Sequence, residues 1–303
     1  SYAHVDSDVD GNENSFAVDQ VEISWLFDFD TVTAQLDLQY EGDSNDGGLD
    51  NDGELVEQAF VNYALGNGDV VTAGRYASMI GFEAFEPTGL YQYSTAYDAS
   101  GLPGYAQGVK YTRESDATFF GLSVQDEAFE NGSGNVSTSS YAIEAAFAQD
   151  LGNGLAVFLG GAFEDADAGD SYIVNAYTTF ETGAWLFAAE VNFGNSESGA
   201  FDLDDGAAVP AVVVGGGDDV DVLSGLLMAN YAYNDTASVT GRVSYEEVSG
   251  TVGDGEVIKY TLAHNKALAD NLGLIPEVSF SDLDADVGDD EVLAFAVELL
   301  FTF

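Results

Sequence analysis

Between Leu293 and Phe303 the chain alternates without a break. Leu293, Phe295, Val297, Leu299, Phe301 and Phe303 form one apolar file, and Ala294, Ala296, Glu298, Leu300 and Thr302 fill the other. A period of two is the signature of a β-strand, whose successive side chains point to opposite faces. One wholly greasy face on a strand that ends in a bare aromatic residue is unusual for a domain bathed in water. The feature restricts the chain to folds in which an apolar sheet face meets something other than solvent.

Composition narrows the choice. The 303 residues carry 54 acidic and 6 basic side chains, a net charge of -48, yet 46% are hydrophobic and 13% aromatic. Disordered acidic chains lack such apolar content, so an ordered fold is expected. The charge argues against nucleic acid as a partner, because phosphate is repelled. Cysteine is absent, which excludes disulfides and thiolate metal sites, and only His4 and His264 supply imidazole. No apolar run approaches the ~18 residues of a membrane helix, and no leader precedes Ser1, which is expected to begin a processed or trimmed chain. A membrane-embedded form would therefore be a closed β-barrel, whose backbone polar groups are all satisfied internally.

The rest of the chain repeats the terminal pattern. Val32, Ala34, Leu36, Leu38 and Tyr40 alternate with polar residues; so do Trp185, Phe187, Ala189, Val191 and Phe193, and Val239, Gly241, Val243 and Tyr245. Each segment runs to about ten residues, the length of a tilted membrane strand. Connectors alternate in length: short turns near residues 28–30, 66–68, 114–116, 152–154, 182–183, 234–235 and 266–271, and long acidic loops between them. Short turns at one end and long loops at the other is the transmembrane-barrel pattern. Residues 15–303 read as fifteen strands, and parity requires one more, at residues 2–8. The expectation is an all-β, antiparallel transmembrane barrel of about sixteen strands, formed by residues 1–303 as a single domain.

The last strand, with Phe303 at its end, resembles the closing strand of bacterial outer-membrane barrels, whose terminal Phe is an assembly signal read by the barrel assembly machinery. Two stretches carry a narrower resemblance: Asn14-Ser-Phe-Ala-Val-Asp-Gln-Val-Glu-Ile-Ser-Trp25, and Gln58-Ala-Phe-Val-Asn-Tyr63 with Ala73-Gly-Arg-Tyr76, Ile80-Gly-Phe-Glu83, Glu86-Pro87, Tyr93-Ser94 and Gly108-Val-Lys-Tyr111. They are similar to the OmpL-like β-barrel porin-2 family, a group of bacterial outer-membrane porins. The resemblance covers about the first third of the chain and its last strand. Resemblance to sixteen-stranded general porins further implies a homotrimer in outer-membrane lipid, and a third external loop that folds into the lumen and narrows it.

By strand count that loop spans about 78–104. It holds Glu83, Glu86 and Asp98 among Tyr91, Tyr93, Tyr97 and Pro87. A connector this long inside a compact domain is usually functional or disordered; an external flap that only caps the barrel is the other reading. Of the few basic residues, Lys110, Arg242 and Lys259 have lumen parity, and Arg75 shares its parity with Val71 and Ala73. A cation facing mid-bilayer lipid costs about 2–4 kcal/mol, which favours inward placement. Glu22, Asp37, Glu144, Glu190, Glu277 and Glu298 also have lumen parity. These residues suggest a constriction in which a basic wall faces an acidic loop; a plugged lumen held by paired charges uses the same residues.

Asp6, Asp8, Asp10 and Asn12 match the first half of a calcium loop, D-x-D-x-D-G, but Ala17 stands where the bidentate Glu belongs. Calcium or magnesium could bind such acidic loops; solvated carboxylates with loose counterions account for them equally. No cofactor is required. Neither His4 nor His264 has a Ser and Asp partner in the sequence, so an enzyme is not expected. The sequence thus supports a passive diffusion porin of the outer membrane, cation-preferring because fixed carboxylates outnumber cations. A structural or adhesive surface barrel whose acidic loops bind divalent cations is the alternative, and a soluble halophilic β-protein a third, opposed by the outward aromatic file.

Overall fold

In the computed structural model the described residues are 1–7, 11–41, 56–83, 86–97, 101–129, 141–166, 169–197, 219–250, 253–286 and 288–303. They form β1 (Tyr2–Ser7), β2 (Gly11–Phe16), β3 (Gln20–Phe29), β4 (Val32–Glu41), β5 (Val56–Gly66), β6 (Asp69–Ala77), β7 (Tyr105–Glu114), β8 (Thr118–Gln125) and β9 (Tyr141–Gly152). The longer strands follow: β10 (Leu155–Ala166), β11 (Gly169–Thr182), β12 (Trp185–Ser196), β13 (Val220–Asn234), β14 (Ala237–Gly250), β15 (Asp254–Ala269), β16 (Leu272–Ala285) and β17 (Asp290–Phe301). All pair antiparallel in one 17-stranded sheet. β2 and β3 are successive halves of one passage interrupted at residues 17–19, which reconciles seventeen segments with sixteen crossings.

β1 closes the sheet. It pairs with β17, Tyr2 opposite Val297, and with β2, Tyr2 opposite Phe16. Beyond that level β3 pairs with β4 alone among the described residues, so the seam is not hydrogen-bonded along its whole height.

Side-chain chemistry follows the two-residue period with its usual sense reversed. On β13, Val222, Leu226 and Met228 are buried while Leu227 between them is 66% exposed. On β17 the greasy file faces out, with Leu299 60% exposed, and Ala296 and Glu298 are buried. Apolar area left in water forfeits about 25 cal/mol per Å². A continuous outward apolar surface is therefore stable only in lipid.

Two tight turns show why the short connectors need their glycines. Gly68 and Gly154 have φ of +84° and +81°, and a Cβ there would lie 1.9 Å from the Glu114 carbonyl oxygen and 2.1 Å from that of Glu181. Only glycine satisfies both conditions. Asp30, Asn67 and Asn153 are the non-glycine residues with left-handed φ among the described residues, as short polar side chains can be.

The core lies inside the barrel. Ile80, Phe129, Ala162, Ile173, Val220 and Val248 form one buried cluster; Ala96, Tyr97, Ala188, Leu226 and Met228 form a second, against which Phe82 and Tyr91 pack. Each cluster joins inward-facing strand residues to residues of the 78–104 connector. The described residues of that connector fold into the lumen.

Candidate constriction site

The 78–104 loop leaves β6 and returns to β7 through a neck closed by Ser78 N–H donating to the Gly104 carbonyl at 2.8 Å. Outside a ladder, its backbone amides need acceptors of their own. The barrel wall supplies carboxylates. Met79 N–H donates to Glu144 on β9. Phe82 N–H donates to Glu190 on β12 at 2.7 Å. Tyr93 and Ser94 N–H both donate to one oxygen of Glu277 on β16, at 2.7 and 3.2 Å. From the other side, Thr240 Oγ1 and Asn265 Nδ2 donate to the Tyr91 carbonyl at 3.0 and 2.5 Å. The loop is stapled to the wall from β9 round to β16.

At the middle of the staple line stands Arg242 on β14, 2% exposed. Its guanidinium donates to Glu83 Oε1 at 2.6 Å, to the Ser94 and Thr95 carbonyls at 2.9 and 2.7 Å, to Ser94 Oγ at 3.1 Å and to Thr261 Oγ1 at 3.2 Å. Glu83 in turn accepts from Gln92 Nε2 at 2.6 Å and from Ala96 N–H at 2.8 Å, pinching the loop into a hairpin-like lobe. Tyr97 hydroxyl donates to Glu190 Oε2 at 3.0 Å, and burial, reinforced by that carboxylate, raises its pKa.

A second cluster holds the near side. Glu86, at the start of the Pro87–Gly89 turn, lies with Glu22 and Glu57 so that one oxygen from each falls within 4.8 Å of the others. Gln20 Nε2 donates to Glu86 at 3.1 Å, and Tyr105 hydroxyl bridges Glu57 and Glu86 at 2.8 and 3.3 Å. Burial first, then the contact with Glu22 and the charge of Glu57, push the Glu86 carboxyl up to about 8.

The sequence-derived residues therefore divide. Glu83 and Arg242 are in direct contact; Glu144, Glu190 and Glu277 bind the loop's backbone, and Glu86 meets Glu22. Asp37 is buried on β4, accepting from Gln35 and Gln58 at 2.7 and 2.9 Å. Glu298 is buried on the inner face of β17 and Lys259 on that of β15. Lys110 faces inward with its Nζ 4.3 Å from the Tyr76 ring centre. Arg75 pairs in register with Ala59 and Gln107 on the outward parity; its Nε donates to the Glu57 carbonyl at 2.9 Å and its guanidinium sits by Tyr105. Lys259 lies one strand over from Arg242 on the same inner face, whereas Arg75 and Lys110 contact Glu57, Tyr105, Tyr76 and Ala77. Asp98 lies outside the described residues, as do Asp8 and Asp10; Asp6 faces Asn12 across the β1–β2 pair. His4 bonds Asn14 and His264 bonds Tyr233. Phe303 is 94% exposed, stacked on Phe301.

Sequence reasoning missed Glu57. It occupies a β-bulge, since Leu38 pairs with Val56 and Asp37 with Gln58, so an extra residue resets the parity.

Comparison with known proteins agrees with this architecture. Residues 4–303 match the family described as "Putative beta-barrel porin-2, OmpL-like". The fold is similar to that of OmpF of Salmonella typhi, solved in complex with daunomycin (TM-score 0.68, 14% identity, 99% of this chain and 95% of that one). It is also similar to a trimer form of OmpT of Vibrio cholerae (0.65, 12%, 98% and 96%) and to the outer-membrane channel DcaP of Acinetobacter baumannii (0.62, 12%, 99% and 96%). No curated protein matches the chain. With a family match over nearly its whole length and a barrel greasy on the outside, the chain belongs to the OmpL-like β-barrel porin-2 family and is a β-barrel channel protein of the bacterial outer membrane.

Proposed function

We propose that the protein is a non-enzymatic porin: small hydrophilic solutes diffuse passively through a water-filled lumen beside the stapled loop, with cations preferred. The observation that carries this reading is the loop itself, drawn across the lumen and bound from β9 to β16 by Glu144, Glu190, Glu277 and Arg242. An external flap has no use for four fixed anchors on the inner wall. A stapled loop sets a bore and holds its charges at fixed distances.

Charge sets the preference. The buried acidic residues of the inner wall, among them Glu144, Glu190, Glu246, Glu277 and Glu298, outnumber Arg242 and Lys259, and the chain as a whole carries -48. A low-dielectric passage lined with one sign of charge concentrates counterions. Cations are enriched at the mouth and in the lumen, more so at low salt, where the Debye length is longer. A homotrimer is the assembly we propose, in keeping with the trimer form of the Vibrio cholerae protein of like fold. We assign Phe303 the role of assembly signal.

Liposome swelling with sugars of graded size tests the pore directly. The reading expects small sugars to enter vesicles carrying the refolded protein and larger ones to be excluded. Folded barrels that admit no solute would favour a plugged structural barrel, whose lumen clusters serve stability alone.

A further inference from the structure

We propose that the outer wall carries a phosphoglyceride site: an acyl-chain groove across β12 to β15 with a cationic headgroup seat at Lys266. The groove measures about 770 Å³ on the lipid-facing side. Its floor is made by the small outward residues Ala189, Ala229 and Gly241, and Phe187, Leu227 and Leu262 rise around it. Gly241 pairs with Ala229 on one side and Leu262 on the other, and a Cβ built on it meets nothing within 4 Å. Missing side chains on three adjacent strands therefore leave a channel the width of a hydrocarbon chain.

Depth selects the occupant. Gly241 lies five residues from Thr236 in the short β13–β14 turn, about 17 Å along the strand and about 13 Å along the membrane normal for a strand tilted ~40°. Short turns are periplasmic in this class of barrel, so the groove lies in the periplasmic leaflet, which supplies glycerophospholipid. The turn-side end of the groove carries polar anchors. Lys266, four residues below Leu262 on the same outward file, donates from Nζ to Thr236 Oγ1 at 2.8 Å. Among the described residues no carboxylate lies within ion-pair reach of it, in a chain with 54 acidic residues. Above it His264 stacks on Tyr233 and shares a 2.7 Å hydrogen bond with it. A headgroup phosphate at Lys266 would leave one chain to run up over His264 into the groove. The site is independent of whether the lumen conducts.

The chain has two tryptophans, and Trp185, stacked on Phe187, borders the groove. The test uses full-length Trp25→Phe protein refolded into phosphatidylcholine vesicles, with Trp185 quenched by brominated-chain phosphatidylglycerol or brominated-chain phosphatidylcholine. We expect phosphatidylglycerol to bind about fivefold more strongly than phosphatidylcholine at this site, the ratio falling to about one in Lys266→Gln. Gly241→Leu, checked for folding by heat-modifiable gel mobility, should lose quenching at low bromolipid fraction. A ratio of one in the parent protein, or unchanged quenching in folded Gly241→Leu, overturns the proposal. Cross-linking between Gly241→Cys copies in vesicles would give the groove to a second subunit and overturn it equally.

Discussion

At the scale of single residues, the constriction depends on buried polar groups having partners. Arg242 is the clearest case: five hydrogen bonds converge on a guanidinium with no exposed side-chain surface. Removing one partner of a buried ion pair leaves the other uncompensated, at a cost of about 3–5 kcal/mol. Arg242→Met should therefore destabilise the barrel by about 3 kcal/mol, measured by urea unfolding in detergent micelles, and should raise open-channel noise. Arg242→Lys keeps the charge but cannot reproduce the fan of donors, and should recover less than half of that loss. Glu86 gives a second prediction. Its carboxyl is raised from 4.5 to about 8, so the docked loop holds a proton that an undocked loop would release. Docking is unaffected below pH 4.5 and weakens as pH rises through 8. Current fluctuations should increase as pH rises from 4.5 to 8 and level off above that, and Glu86→Gln should abolish the increase.

Elements show how far alternation carries a reading of the sequence and where it stops. The passage through β12 was legible because Phe187, Ala189 and Val191 keep a strict period with lipid on one face and the lumen on the other. The short turns were legible from Gly and Asn positions, whose left-handed backbone is a local property. Gly154→Ala sets a Cβ against the Glu181 carbonyl at 2.1 Å and should cost about 1–3 kcal/mol, seen as a lower midpoint in the same unfolding assay. The bulge at Glu57 was not legible, because one extra residue leaves no mark in composition. Nor were the staples. Glu277 and Tyr93 are 184 residues apart, and the loop contributes only its backbone amide, which every residue has. Lumen parity singled out Glu144, Glu190 and Glu277 but could not show that they bond amides of the loop rather than cations. Glu277→Gln retains the hydrogen bonds without the charge and should loosen the loop, raising current noise more than it changes stability.

For the whole molecule, the inside-out distribution of apolar surface and the family match fix the barrel and its membrane. Acidity is the property that gives the proposed channel its sign. Part of it is consumed locally: the wall glutamates that hold the loop are hydrogen-bonded acceptors. In the proposed channel the negative charge of the constriction rests on carboxyls such as Glu83 and Glu277, opposed there by Arg242. Cation preference should accordingly be a property of the folded constriction as much as of the external loops. It should diminish as salt rises from about 0.1 to 1 M, as the Debye length falls from about 10 to 3 Å. The most direct test is the zero-current potential of the refolded protein in a planar bilayer under a KCl gradient. A cation-sided potential that shrinks with salt, and shrinks further in Glu83→Gln, is the predicted result. An anion-sided potential through stable single-channel steps would contradict the electrostatic account while leaving the barrel intact.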